Sequence, residues 1–141
     1  MPKKPSKINF DYEDDQGLVE NLIPVHRNFY LRKIRTVTGI KRFSIPTEIK
    51  KELELKVKDD IYFVEYPEGF YIIFNRIPDV SSKSYRKRKL IVAGAGDTLY
   101  TAIPPLITNY FTNPIVAVKL LQPQGVPKDT WRIQFLFTDF T

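Results

Sequence analysis

The sequence predicts a mainly β protein with short helices, built as two tandem β-β-α-β-β units. Runs of β-branched and aromatic residues recur in near alternation, broken by Gly and Pro turn signals. Short helical stretches begin at Ile-Pro corners, where proline tolerates the first turn of a helix and halts the preceding strand. A shift of 58 residues then lays Pro46 on Pro104 and brings the same order of features round a second time.

In the first unit, Phe29 to Val37 (FYLRKIRTV) has the composition and alternation of a strand, and Arg42 to Ile45 (RFSI) reads as a second after a Thr38-Gly39-Ile40-Lys41 turn. Pro46-Thr47-Glu48 looks like a helix start, and Ile49, Leu53 and Leu55 place apolar groups on one side of a short helix ending near Leu55. A residue before proline is pushed toward extended geometry, so Ile45 and Ile103 are expected at strand ends with their side chains in the core. Ile61 to Tyr66 and Phe70 to Phe74 follow as strands joined at Pro67-Glu68-Gly69.

The second copy aligns Arg32-Lys33-Ile34 on Leu90-Ile91-Val92, Gly39 on Asp97, Phe43-Ser44-Ile45-Pro46 on Thr101-Ala102-Ile103-Pro104, and Ile49 on Ile107. Its last strands are Ile115 to Leu120 and Trp131 to Phe137, separated by a longer loop from Gln122 to Thr130. The chain therefore divides into a charged arm (1–28), a first unit (29–78), a basic linker (79–89) and a second, non-basic unit (90–141). Neither half is large enough to bury its strand edges alone. Each must pair with the other half or with a second chain.

Charge is unevenly spread over the 141 residues, whose net charge is +6. Asp11, Glu13, Asp14, Asp15 and Glu20 make the arm acidic beyond its first lysines. Between Arg27 and Lys51 eight bases face a single acid, Glu48, and Lys83, Arg86, Lys87, Arg88 and Lys89 form a second basic run. From Leu90 onward bases and acids balance. Clustered positive charge favours polyanionic partners, so the first half and the middle are expected to make such contacts. The acidic segment is expected to screen the basic face or to meet a protein partner.

Other chemistries are poorly served. With no cysteine there is no disulfide, thiol nucleophile or thiolate zinc site, and His26 alone cannot build a histidine metal cluster. Gly94-Ala95-Gly96-Asp97 lacks the Gly-Lys-Ser/Thr ending of a phosphate loop and reads as a turn between strands. No enzyme activity, metal or cofactor is expected. Phe63, Tyr71, Phe74, Phe111, Trp131, Phe135 and Phe137 fall at strand spacing and are read as core, and Tyr85 as cover for an apolar patch. No apolar run approaches the roughly 18 residues of a membrane span, and Met1-Pro2-Lys3-Lys4-Pro5 lacks a signal-peptide stretch. A cytoplasmic protein, nucleoid-associated in a cell or free in host cytoplasm if viral, is expected.

From Arg32 to Tyr66 a basic strand, a glycine turn, Arg42-Phe43-Ser44-Ile45-Pro46, Ile49-Lys50-Lys51-Glu52-Leu53-Glu54-Leu55 and Lys58-Asp59-Asp60 follow in order. This segment, about a third of the chain, resembles the SpoVT/AbrB family of swapped-hairpin DNA-binding domains. It departs from the family where a Gly-Arg pair is expanded to Gly39-Ile40-Lys41-Arg42 and where Lys50-Lys51 replaces two arginines. The resemblance implies swapped-hairpin units and a homodimeric transcription regulator that binds double-stranded DNA, the first units of two chains interlocking. Phosphates would be gripped by Arg32, Lys33, Arg35, Lys41, Arg42, Lys50 and Lys51, with Arg86 and Arg88 crossing them from the linker. The second unit keeps only the Ile103-Pro104 corner and the strand order; Leu106 and Thr108-Asn109 stand where bases would be. An antitoxin that binds DNA and also neutralises a protein partner, through its N-terminal arm, is the alternative.

Overall fold

A computed structural model describes residues 26–93 and 96–137, with side chains from Phe29 onward. The acidic cluster Asp11 to Asp15 and most of the arm lie outside the described residues, as do Gly94 and Ala95 of the expected glycine turn. The chain is mainly β. In order, it forms β1 (His26–Lys33), β2 (Arg35–Val37), β3 (Ile40–Ser44), α1 (Thr47–Glu52), β4 (Asp60–Tyr66) and β5 (Gly69–Phe74). A single 3-10 turn at Ser82–Ser84 leads into β6 (Tyr85–Lys89), β7 (Ile91–Val92), β8 (Leu99–Ala102), α2 (Pro105–Thr108), β9 (Ile115–Pro123) and β10 (Thr130–Phe137).

Two antiparallel sheets result. The larger has the order β1-β9-β10-β5-β4-β6, and the smaller has the order β2-β3-β8-β7. The pairings are reciprocal: β1 lies on β9 from the second half of the chain, and β6 lies on β4 from the first. In the small sheet Arg42 pairs with Ala102, Phe43 with Thr101 and Ser44 with Tyr100, so the register is symmetric about the Phe43 to Thr101 pair at an offset of 58 residues. In the large sheet Phe70 pairs with Ile133 and Ile72 with Trp131, symmetric about the Tyr71 to Arg132 pair. Within the chain, each half thus pairs with the other.

Helix α1 ends at Glu52, short of the expected Leu55, β9 runs past Leu120 to Pro123, and four further features differ from the sequence reading. The strand expected from Phe29 to Val37 begins at His26, inside the expected arm, and breaks at Ile34. There the backbone N–H donates to the Val116 carbonyl (2.9 Å) and the chain crosses from the large sheet to the small one. The break is invisible in composition because both sides of it are equally β-prone. The turn is also tighter than four residues: Thr38 (φ 49°) and Gly39 (φ 83°) alone span it, with Val37 paired to Ile40. Two successive positive φ values mark the type I′ hairpin turn, whose twist matches that of the strands. Ile40 and Lys41 therefore belong to β3.

The expected linker is the third difference. Tyr85 to Lys89 form an edge strand, which consecutive basic residues concealed because neither face alternates in polarity. Lastly, pairing of Arg35 with Arg42 and of Ile91 with Tyr100 sets Ile34, not Arg32, against Leu90. The β7 to β8 connection is two residues longer than its counterpart, which the uniform shift of 58 could not register.

The core lies between the sheets. Ile61, Phe63, Ile72, Phe74, Val118, Leu120, Trp131, Ile133 and Phe135 line the inner face of the large sheet, and Phe43 and Leu99 that of the small one. Ile45 and Ile103 enter it from the Ile-Pro corners, buried to 3% and 2% exposure as the sequence predicts. Their amides donate to Leu99 and Lys41 carbonyls, both at 2.8 Å, again 58 residues apart. Pro46 and Pro104 sit immediately before the helices with nearly identical backbone angles (φ −55°, ψ 140° and φ −57°, ψ 137°), and Ile49 and Ile107 plug each helix into the core. A second cluster on the outer face of the large sheet, Tyr62, Val64 and Ile73, is covered by Val80 and Tyr85.

Candidate nucleic-acid interface

Residues opposite one another in a sheet share a face, and neighbours along a strand alternate. Phe43, Leu99 and Thr101 face the core, so Arg35, Arg42, Ser44, Tyr100 and Ala102 must face outward from the small sheet. Arg35 lies directly across from Arg42. Like charges set opposite each other repel, and a sheet retains them on a solvated face that attracts anions. Arg35 is steadied by Tyr100: its guanidinium donates to the phenolic oxygen (3.1 Å) and lies 5.5 Å from the ring centroid. The planar fork is thereby held against an aromatic plate with donors to spare. Lys41 sits beside the hairpin turn, its ammonium 3.5 Å from Thr36 Oγ1.

The remaining candidates fall elsewhere. Arg32, Arg86 and Arg88 project from the core side of the two edge strands of the large sheet. Arg32 lies over Tyr30 (5.8 Å), whose phenol is pushed up in pKa by burial and then by Glu48, with Arg32 opposing. Arg32 therefore shares its surroundings with the acids of α1. Lys33 is exposed on the opposite face of β1. On α1, Lys51 is exposed, whereas Lys50 donates to the Asp97 carbonyl (2.7 Å) and lies 3.7 Å from its carboxylate. At the far edge, Lys89 pairs with Asp60 at 2.6 Å, a contact that holds its ammonium above the ordinary lysine pKa.

Of nine candidates, then, the fold brings Arg35 and Arg42 together on one face of a hairpin, sets Lys41 on its other face, and distributes the rest over a helix and two sheet edges. Sequence reading missed Tyr100 and Asp97. Both belong to the second half, and each meets a first-half base across the pairing of the two halves; the offset of 58 places Tyr100 at the counterpart of Arg42 and is the one signal that pointed to it. No family model, curated protein or solved structure matches the chain. Among the described residues no helix is long and apolar enough to cross a membrane.

Proposed function

We propose that the protein is a double-stranded DNA-binding transcription regulator of the SpoVT/AbrB-like swapped-hairpin type, carrying both units in one chain. The observation that carries this reading is the pairing of Arg35 with Arg42 on the outer face of the small sheet, with Lys41 on the other face of the same hairpin. A two-stranded ribbon fits the major groove of B-form DNA, and arginines on its outward face can reach phosphates and guanine edges. The reciprocal strand exchange supports the same reading, because it makes a rigid platform of both hairpins. Only the first hairpin is basic. A homodimer in the cytoplasm would set two copies of it on successive turns of one duplex.

Replacing Arg35, Lys41 and Arg42 together by Ala is expected to weaken binding in a gel-shift titration on mixed duplex DNA. The log-log salt slope should fall by about 0.9 for each phosphate that the variant no longer neutralises. Mass in solution, measured on the same samples, checks the dimer. Unchanged affinity across the salt series would remove this surface from consideration.

A further inference from the structure

Each hairpin turn overhangs the helix of the opposite half, and the two turns meet those helices differently. Beneath the β7 to β8 connection Asp97 descends onto Lys50 of α1. At the corresponding places under the β2 to β3 turn stand Gly39 and Thr108, which cannot form that ion pair. What remains is an open cleft of about 360 Å³ between the turn, α2 and β6. That volume lies at the small end of the range for ligand sites.

Its walls carry two cations, Lys41 and Arg88, and no acid. Among the described residues neither is ion-paired: Arg88 donates to the Lys87 carbonyl and Lys41 reaches only the Thr36 hydroxyl. Ile40, Ala102 and Pro105 supply apolar wall, and Gly39 leaves open space above it, since a Cβ there would meet nothing within 4 Å. Two cations over an apolar wall suit a ligand with a charged head and a compact apolar body. We propose that this cleft binds a small organic anion through its phosphate or carboxylate group, on the side where the opposite turn instead meets its helix through the Lys50 to Asp97 contact. The proposal rests on the cleft alone and goes beyond the DNA reading.

The test is a titration of the full, ¹⁵N-labelled chain with inorganic phosphate and with phenyl phosphate, followed by amide shifts. Both probes should move Gly39, Ile40, Thr108 and Asn109, and phenyl phosphate should bind several-fold more tightly. Lys41→Gln and Arg88→Gln should each weaken binding roughly tenfold. A Thr108→Glu variant, which sets an acid on the cleft wall beside the two cations, should remove binding while the chain stays folded. Shifts spread evenly over surface lysines, or insensitivity to both Gln variants, overturn the proposal. So does the finding that duplex DNA displaces phosphate and that the Gln variants lose DNA affinity as fully as Arg35→Ala with Arg42→Ala; the cleft would then be part of the DNA surface. Loss of DNA binding in that arginine pair with phosphate binding intact keeps the two readings separate.

Discussion

The two hairpins of the small sheet occupy equivalent positions on either side of the Phe43 to Thr101 pair, yet their outward faces differ in kind. On β2 and β3 the outward pair is Arg35 and Arg42; on β7 and β8 it is Ile91 and Tyr100. The helices diverge in the same way, with Lys50 and Lys51 on α1 set against Thr108 and Asn109 beyond or at the end of α2. Buried positions do not diverge. Ile45 and Ile103, Ile49 and Ile107, Ile61 and Val118, Phe63 and Leu120, and Ile72 and Ile133 correspond through the registers, and all are buried. Burial constrains volume and polarity at a site, whereas an exposed position is constrained only by what approaches it. The fold thus repeats inside, while on the outward faces of the two hairpins the paired arginines occur on one only.

The largest effect tests the repeated interior. Ile45→Ala and Ile103→Ala each remove a buried branched side chain and leave a cavity, which costs about 2 to 5 kcal/mol. The two losses should be similar although one corner lies under a basic hairpin and the other under a neutral one. Ser44→Ala, on the outward face one position along, should shift the thermal midpoint little. A silent Ile103→Ala beside a severe Ile45→Ala would break the equivalence of the halves.

How much of this was legible follows from the same contrast. The Ile-Pro corners, both helices and strands β4, β5, β9 and β10 announce themselves because proline geometry and apolar alternation are local signals. The break at Ile34 and the strand Tyr85 to Lys89 do not, since each is decided by a partner strand distant in sequence: Val116 accepts from Ile34, and Asp60 to Val64 pair with β6. In the candidate site the bases were legible singly. Which of them share a face was not, because a sheet change inside one apparent strand places Arg32 and Arg35, three residues apart, in different sheets.

A smaller effect concerns an ion pair with no role in the hairpins. Beyond β5, Arg76 clasps Asp129 with two hydrogen bonds of 2.8 Å, and Thr130 donates a third to the same carboxylate. The guanidinium bonds hold the Asp129 carboxyl below its ordinary pKa against the opposing effect of burial. A depressed folded pKa means that the contribution is fully present above the unfolded carboxylate range and is lost as pH falls through the folded value. Both side chains are partly solvated, so Asp129→Asn should cost about 1 kcal/mol at neutral pH. The variant and parent should converge in chemical denaturation as pH drops through the acid range. A gap that persists in acid would assign the loss to packing of the loop before β10 instead of to charge.

The smallest expected effect bears most directly on the difference between the halves. Lys50→Thr gives α1 the residue that α2 carries at the corresponding place. The ammonium it removes makes its shorter contact with the neutral Asp97 carbonyl, at 2.7 Å, while the carboxylate is 3.7 Å away and its side chain 98% exposed. An ion pair so solvated contributes little, and what remains is one hydrogen bond, so the loss should be about 0.5 kcal/mol. Because the carbonyl carries most of that interaction, the loss should change little with added salt, and Asp97→Asn, which keeps the carbonyl, should be nearly silent. Urea titrations of the two variants at low and high salt separate the cases. A loss near 2 kcal/mol, or one that vanishes in salt, would mean that the Asp97 turn docks through its charge and that this contact is part of what holds the halves together.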